Sequence, residues 1–179
     1  GIGVLYLKSR RTVHNITFGG GHEDGLRSGT VNVAAAVSLA KSLRLSQEKV
    51  EVIKVKHKEY KKLIVDEFSK YKHIVINSPL SENFMDSIVN ISLPKIKGEV
   101  IVNALNDRGI MVSTTSACSS KTFHLNEALY ARGLSKENIE GSIRVSFSYE
   151  TTRKEVETFI EVLIDEYNKK FKEVIESGI

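Results

Sequence analysis

With one cysteine in 179 residues, the chain can hold no internal disulfide and suits a reducing compartment. No apolar run is long enough to span a membrane, and no signal-peptide pattern opens the chain. It opens instead on Gly1, without Met and inside an apolar, strand-like run. That is expected of a truncation, a proteolytic product or an artificial boundary. Charge of one sign is also scarce: the formal net charge is +4 and the pI about 9.1. Acidic residues are interspersed throughout, so the balance does not argue for direct contact with nucleic acid. Lys8, Arg10 and Arg11 form a small basic cluster that reads as a solvated turn. Hydrophobic residues at 41% and charged residues at 27% are ordinary for a globular chain of this length, which can bury a sizeable core.

Only two prolines occur, and both punctuate strands. His73–Asn77 reads as a strand stopped by Ser78-Pro79, and Ser87–Leu93 as another ended by Pro94. The spacing predicts further strands over Gly3–Leu7, loosely over Val13–Phe18, over Ile110–Ser113 and over Ser142–Ser148. Val33–Phe68 contains neither Pro nor Gly and reads as one long helix. Val50, Ile53, His57, Tyr60 and Ile64 make its apolar stripe, with Lys and Glu on the other face. His57 on that stripe is expected to be a satisfied core or boundary histidine. Gly98–Arg108 reads as a helix with Gly109 at C′, Leu125–Arg132 as a short helix closed by Gly133, and Ser135–Asn138 as another helix start. Thr152-Arg-Lys-Glu155 fits a capping box. Behind it Val156, Phe159, Ile160, Leu163, Ile164, Tyr167, Phe171 and Val174 form a core-facing stripe. The predicted fold class is α/β, with residues 70–179 a small α+β domain whose helices pack on one face of a sheet.

Two stretches carry candidate chemistry, and a third residue joins them. Ser113-Thr-Thr-Ser-Ala-Cys-Ser-Ser-Lys121 holds Cys118 among small polar residues. Buried structural cysteines usually sit among apolar ones. An accessible thiol suits nucleophilic or sulfur-carrying work if its pKa is lowered, as Lys121 and His124 could do; otherwise Cys118 is an unreactive loop cysteine. Gly19-Gly-Gly-His-Glu-Asp-Gly-Leu-Arg-Ser-Gly-Thr30 has five glycines ahead of a helix. Such a loop either presents N–H groups to a phosphate or is a plain flexible connection. Arg144, in Gly141-Ser-Ile-Arg-Val-Ser-Phe-Ser148, faces away from Ile143 and Val145 if those point inward. Its guanidinium can hold a carboxylate bidentately or pair with a nearby Glu. Asn15-Ile-Thr17 and Asn90-Ile-Ser92 match a glycosylation pattern that goes unused in the cytosol.

In this order and spacing, the three motifs resemble the cysteine desulfurases of the NifS/IscS type, which are fold-type I, pyridoxal-phosphate (PLP) enzymes. The resemblance covers the whole chain, with no insertion or deletion against the family pattern between Cys118 and Arg144. It implies an enzyme that takes sulfur from L-cysteine, leaving L-alanine, with PLP as electron sink. It places the persulfide-forming nucleophile on Cys118 and the substrate's α-carboxylate on Arg144. It puts Thr30 at the PLP phosphate of the neighbouring subunit in a homodimer. His22 and Glu23 match the family's loop as well. The length after Cys118 matches the long-loop group, which hands sulfur to an Fe–S scaffold or to tRNA thiolation; a cytoplasmic location is expected, with no membrane partner and no metal.

The resemblance also divides the chain. Residues 1–32 would be the end of the large PLP domain with remnant strands, 33–69 the interdomain helix, and 70–179 the small domain with the Cys loop. The family's Schiff-base lysine, its ring-stacking His, the Asp at the ring nitrogen and the O3′ contacts would all precede Gly1. The isolated chain is therefore expected to be inactive. Two other readings stay open: a stand-alone persulfide carrier or scaffold-docking module without PLP, and a selenocysteine lyase or class-V aminotransferase. An aminotransferase needs no loop nucleophile, so Cys118 argues against it.

Overall fold

A computed structural model describes residues 1–9, 13–114 and 126–177, apart from the side chains at 170, 173, 175 and 176. Contacts divide it into two units, Gly1–Val50 and Glu51–Ile179. Among the described residues no helix is long and apolar enough to cross a membrane.

The first unit holds little regular structure before its helix. Neither of the strands expected over 3–7 and 13–18 forms among the described residues. Val4, Leu5, Tyr6, Ile16 and Phe18 are all exposed. The physical reason is that a strand gains its stability from a hydrogen-bonded neighbour and a covered face, and no strand of this unit supplies either. Residues 19–30 fold locally instead, around a 3-10 turn at His22–Gly25. Ser28, the one buried residue among those described in this unit, donates from Oγ to Gly20 O at 2.7 Å and ties the loop's two ends. Helix α1 then runs Val33–Phe68 as the Pro- and Gly-free pattern predicts. Asn32 Oδ1 accepts from Ala35 N–H at 3.0 Å and caps it.

In the second unit the end of α1 enters the core. His57, Tyr60, Lys61, Ile64 and Phe68 are buried, at spacings of three and four. Val50 is exposed, so the predicted stripe starts at Ile53, which is half-buried. His57 is a boundary residue: Nε2 lies 3.1 Å from Ser148 O and the ring packs 5.7 Å from Phe147.

The remaining elements are β1 (Val75–Ile76), β2 (Ile88–Ser92), α2 (Gly98–Asn106), β3 (Ser113–Thr114), α3 (Glu127–Ala131), α4 (Lys136–Glu140), β4 (Ser142–Ser146), α5 (Arg153–Glu166) and α6 (Lys172–Ser177). The four strands form one antiparallel sheet in the order β1-β2-β4-β3. Val89, Ile91, Ile143 and Val145 point to one face. There they meet Ile64 and Phe68 of α1, Ile101 and Leu105 of α2, and Val156, Phe159 and Leu163 of α5 in a single apolar core. Phe68 and Phe159 meet edge-on at 5.8 Å within it.

Local chemistry sets the element ends. Thr152 and Glu155 make the reciprocal capping box at the start of α5. After α2, Gly109 N–H reaches Asn106 O at 2.9 Å and Ile110 N–H reaches Leu105 O at 2.9 Å, a Schellman closure with Gly109 at φ 76°. Gly133 closes α3 in the same way, donating to Tyr130 O at 2.8 Å. Beyond α5 the helix widens to a π turn over Tyr167–Phe171, which shifts the face by part of a turn. Tyr167 and Phe171 remain buried, but Val174 is exposed, against the predicted stripe.

Candidate functional site

Arg144 sits in β4 between two core residues and points the other way, so its side chain is exposed. Its register partners are Asn90 on β2 and Ser113 on β3. Phe147 N–H donates to Ser87 O at 2.9 Å. The alternation from that bond makes Asn90 and Arg144 a non-hydrogen-bonded pair, the type in which facing side chains lie closest. Ser113, on the other flank, leads directly into the stretch that contains Cys118. Cys118, Lys121 and His124 lie outside the described residues, as does Leu125.

The polar face on which Arg144 stands is built from Asn77, Asn90, Ser92 and Ser142, all buried. Asn77 Nδ2 donates to Asn90 Oδ1 at 2.7 Å and to Ser92 Oγ at 2.6 Å. Asn90 Nδ2 donates to Ile143 O, the carbonyl preceding Arg144, at 3.1 Å. Ser92 Oγ donates to Asn138 O at 2.6 Å and Ser142 Oγ to Ile139 O at 2.9 Å, so α4 covers one end of the face. Arg132, just after α3, donates to Asn77 O at 3.0 Å while its guanidinium lies 4.3 Å over the Phe84 ring. Sequence reasoning missed Asn77, Asn90 and Arg132. The available signal was one asparagine inside β2, where Asn is depleted, and another just past the end of β1; a hydrophobic pattern does not register them. Asn90 is 8% exposed, which closes it to glycosylation as well.

Lys61 is fully buried on α1. It donates to Met85 O at 3.1 Å and lies 5.5 Å from the Phe84 ring. Burial pushes its pKa below the ordinary lysine value, partly offset by Asp86.

The Gly-rich loop belongs to the other unit. Thr30 is exposed, as are His22 and Glu23. Glu23 and Asp24 adopt left-handed φ values of 52° and 54°, a region disfavoured for residues with a Cβ. His22 N–H donates to Gly20 O and Gly25 N–H to Gly21 O. Much of the loop's backbone is thus spent on its own turn, and the start of α1 is capped by Asn32. An exposed hydroxyl at Thr30 fits one contact to a phosphate group. It is one donor.

A groove of about 590 Å³ lies elsewhere, between residues 108–112 and the β4–α5 junction. Val145 and Phe147 line it, from the face opposite Arg144, and Arg144 is not among its described walls. Among the described residues no cluster of His, Cys, Asp or Glu could hold a metal.

The profile of the family described as aminotransferase class-V matches residues 1–159. A NifS/IcsS protein homolog of Lactobacillus delbrueckii subsp. bulgaricus is 37% identical over 99% of this chain and 46% of its own length. A cysteine desulfurase IscS of Ehrlichia chaffeensis is 32% identical over 94% of this chain and 42% of its own. Among solved structures, a NifS-like protein superposes with a TM-score of 0.75 at 27% identity, over 89% of this chain and 40% of that one. The chain thus spans less than half the length of these relatives.

Proposed function

The chain belongs to the class-V aminotransferase family, and on that footing we propose that it supplies the sulfur-accepting and carboxylate-binding residues of a PLP-dependent cysteine desulfurase. The fold agrees with the family, being the mixed helix-and-sheet arrangement of its NifS-like structural neighbours. The observation that carries the reading is the register of β3 on β4. It sets Arg144 beside Ser113, and Cys118 follows five positions later. Chain length alone keeps Cys118 within about 18 Å of Ser113.

In this reading Arg144 holds the α-carboxylate of L-cysteine with two parallel hydrogen bonds from its guanidinium. The Cys118 thiolate attacks the substrate sulfur. The carbon–sulfur bond breaks, its electron pair passes to the substrate carbon, and a proton then completes the methyl group of L-alanine. The sulfur stays on Cys118 as a persulfide, to be passed to an acceptor such as an Fe–S scaffold or a tRNA-thiolating enzyme. PLP supplies the electron sink when bound; Thr30 would touch its phosphate across a homodimer interface. Residues 1–32 would then close the cofactor domain, 33–69 link it, and 70–179 carry the Cys loop in a cytoplasmic enzyme.

No lysine of this sequence stands in the Ser-x-His-Lys setting of the family it resembles, so the 179-residue chain mixed with PLP and L-cysteine is expected to release no L-alanine. The full-length enzyme is expected to release it in step with persulfide on Cys118. Alanine release unaffected by Cys118→Ser in the full-length enzyme would overturn the assignment.

A further inference from the structure

Asn90 is a costly residue where it stands. It lies in a central strand, is 8% exposed, and has a side chain that sheet interiors disfavour. A valine there would serve the sheet better. Its cost is offset by full engagement: the carboxamide accepts from Asn77 and donates to Ile143 O. Its backbone is held too, with N–H donating to Ser78 Oγ at 2.8 Å and C=O accepting from Asn77 N–H at 2.9 Å. Asn77 is fixed in turn by Ser92 and, at its carbonyl, by Arg132. A satisfied polar network of this kind fixes one geometry where apolar packing would tolerate several. Departures from local preference of this sort concentrate at functional sites.

The residue so fixed is the close cross-strand partner of Arg144, and the carbonyl it grips immediately precedes Arg144. We propose that Asn90, locked by Asn77, is a positioning residue that sets Arg144 for a substrate carboxylate. This rests on the carboxylate-binding role given to Arg144 above. Asn90 forms one wall beside the guanidinium's stem and holds the backbone from which the stem projects. Substrates are then sorted by whether they carry a carboxylate at the distance this fixed arginine reaches.

The test uses the full-length, PLP-loaded enzyme with Arg144→Ala, Asn90→Val and the double variant Asn77→Val/Asn90→Val. The double variant removes donor and acceptor together and so avoids the stranded partner that the single change leaves. The readouts are KM and kcat for L-cysteine, and the Kd of L-alanine against L-alaninamide, which lacks the carboxylate charge. The expected loss is about tenfold, the order of one weakened hydrogen bond to a charged group. It should appear in KM for L-cysteine and in the Kd of L-alanine, with kcat and alaninamide binding unchanged. Folded Asn90 variants that bind L-alanine normally while Arg144→Ala does not would overturn the proposal and leave the role of Arg144 standing. Equal weakening of both ligands would also overturn it, as the mark of a purely structural residue. Normal L-alanine binding by Arg144→Ala would overturn the carboxylate reading itself, and this proposal with it.

Discussion

Arg144 illustrates how a residue can be placed before its role is assigned. The alternation of Ile143, Arg144 and Val145 sends the arginine to the face opposite the core, and the structure agrees. Register then adds what alternation alone could not: Asn90 on one side and Ser113 on the other. Replacing Arg144 by Lys keeps the charge and loses the planar fork. Charge-assisted hydrogen bonds contribute about 1.5–3 kcal/mol, so KM for L-cysteine should rise roughly 10- to 100-fold in the full-length enzyme. Steady-state kinetics on Arg144→Lys check this; an unchanged KM would remove Arg144 from the site. Lys61 yields a prediction of a different kind. Its pKa is depressed in the folded protein, so between the folded value and 10.5 the unfolded chain binds more protons. Stability should therefore rise with pH across that alkaline window, and the cost of burying the charge is fully present below it. Denaturation curves across that window should show the slope in the wild type and lose it in Lys61→Met. An identical slope in both would assign it to other groups.

At the scale of elements, the sequence was most legible where one residue's chemistry decides an end. The capping box at Thr152 and Glu155 and the glycines at 109 and 133 needed no distant partner to be recognised. The apolar stripes were legible as far as a covering surface exists. Val156 to Phe171 are core, but the π turn carries Val174 out to solvent. The strands expected over 3–7 and 13–18 failed because their pattern presupposes neighbours that the described residues do not provide. Of the three candidate site residues, Arg144 was legible in orientation, Thr30 is exposed in a loop whose fold the sequence did not announce, and Cys118 lies beyond what the structure describes. The buried amide network was not legible at all, since nothing in a local window announces that Asn77 and Asn90 meet.

Close approach makes one element-scale prediction and helix capping another. A Cβ on Gly141 would fall 2.3 Å from Leu93 O and 2.8 Å from Ile96 O, both backbone atoms that cannot step aside. Gly141→Ala should destabilise the second unit by roughly 1–3 kcal/mol, the usual cost of overpacking. Thr152→Ala removes the cap of α5 and should cost about 1 kcal/mol. Urea denaturation of each variant measures both. A Gly141→Ala midpoint equal to wild type would mean that the β2–β4 junction has slack that the geometry denies.

For the whole molecule, the family match over residues 1–159 and the coverage of less than half of each relative pull in one direction. In the proposed reading, Arg144 and Cys118 of this sequence take the substrate carboxylate and sulfur, and the chemistry that activates the substrate comes from residues outside it. The intact mass of the native polypeptide separates the two ways a cell could use such a chain. A species of roughly twice 20.0 kDa has room for a second domain of ordinary size. One at 20.0 kDa would leave Cys118 as a sulfur carrier at most.

The most direct test of the central claim is to give sulfur-labelled L-cysteine to the native protein and map the label by peptide mass spectrometry without reduction. The account predicts one labelled sulfur on the peptide containing Cys118, released by thiol, with L-alanine formed in equal amount and no label retained in Cys118→Ser. L-alanine formed while the Cys118 peptide stays unlabelled would contradict it.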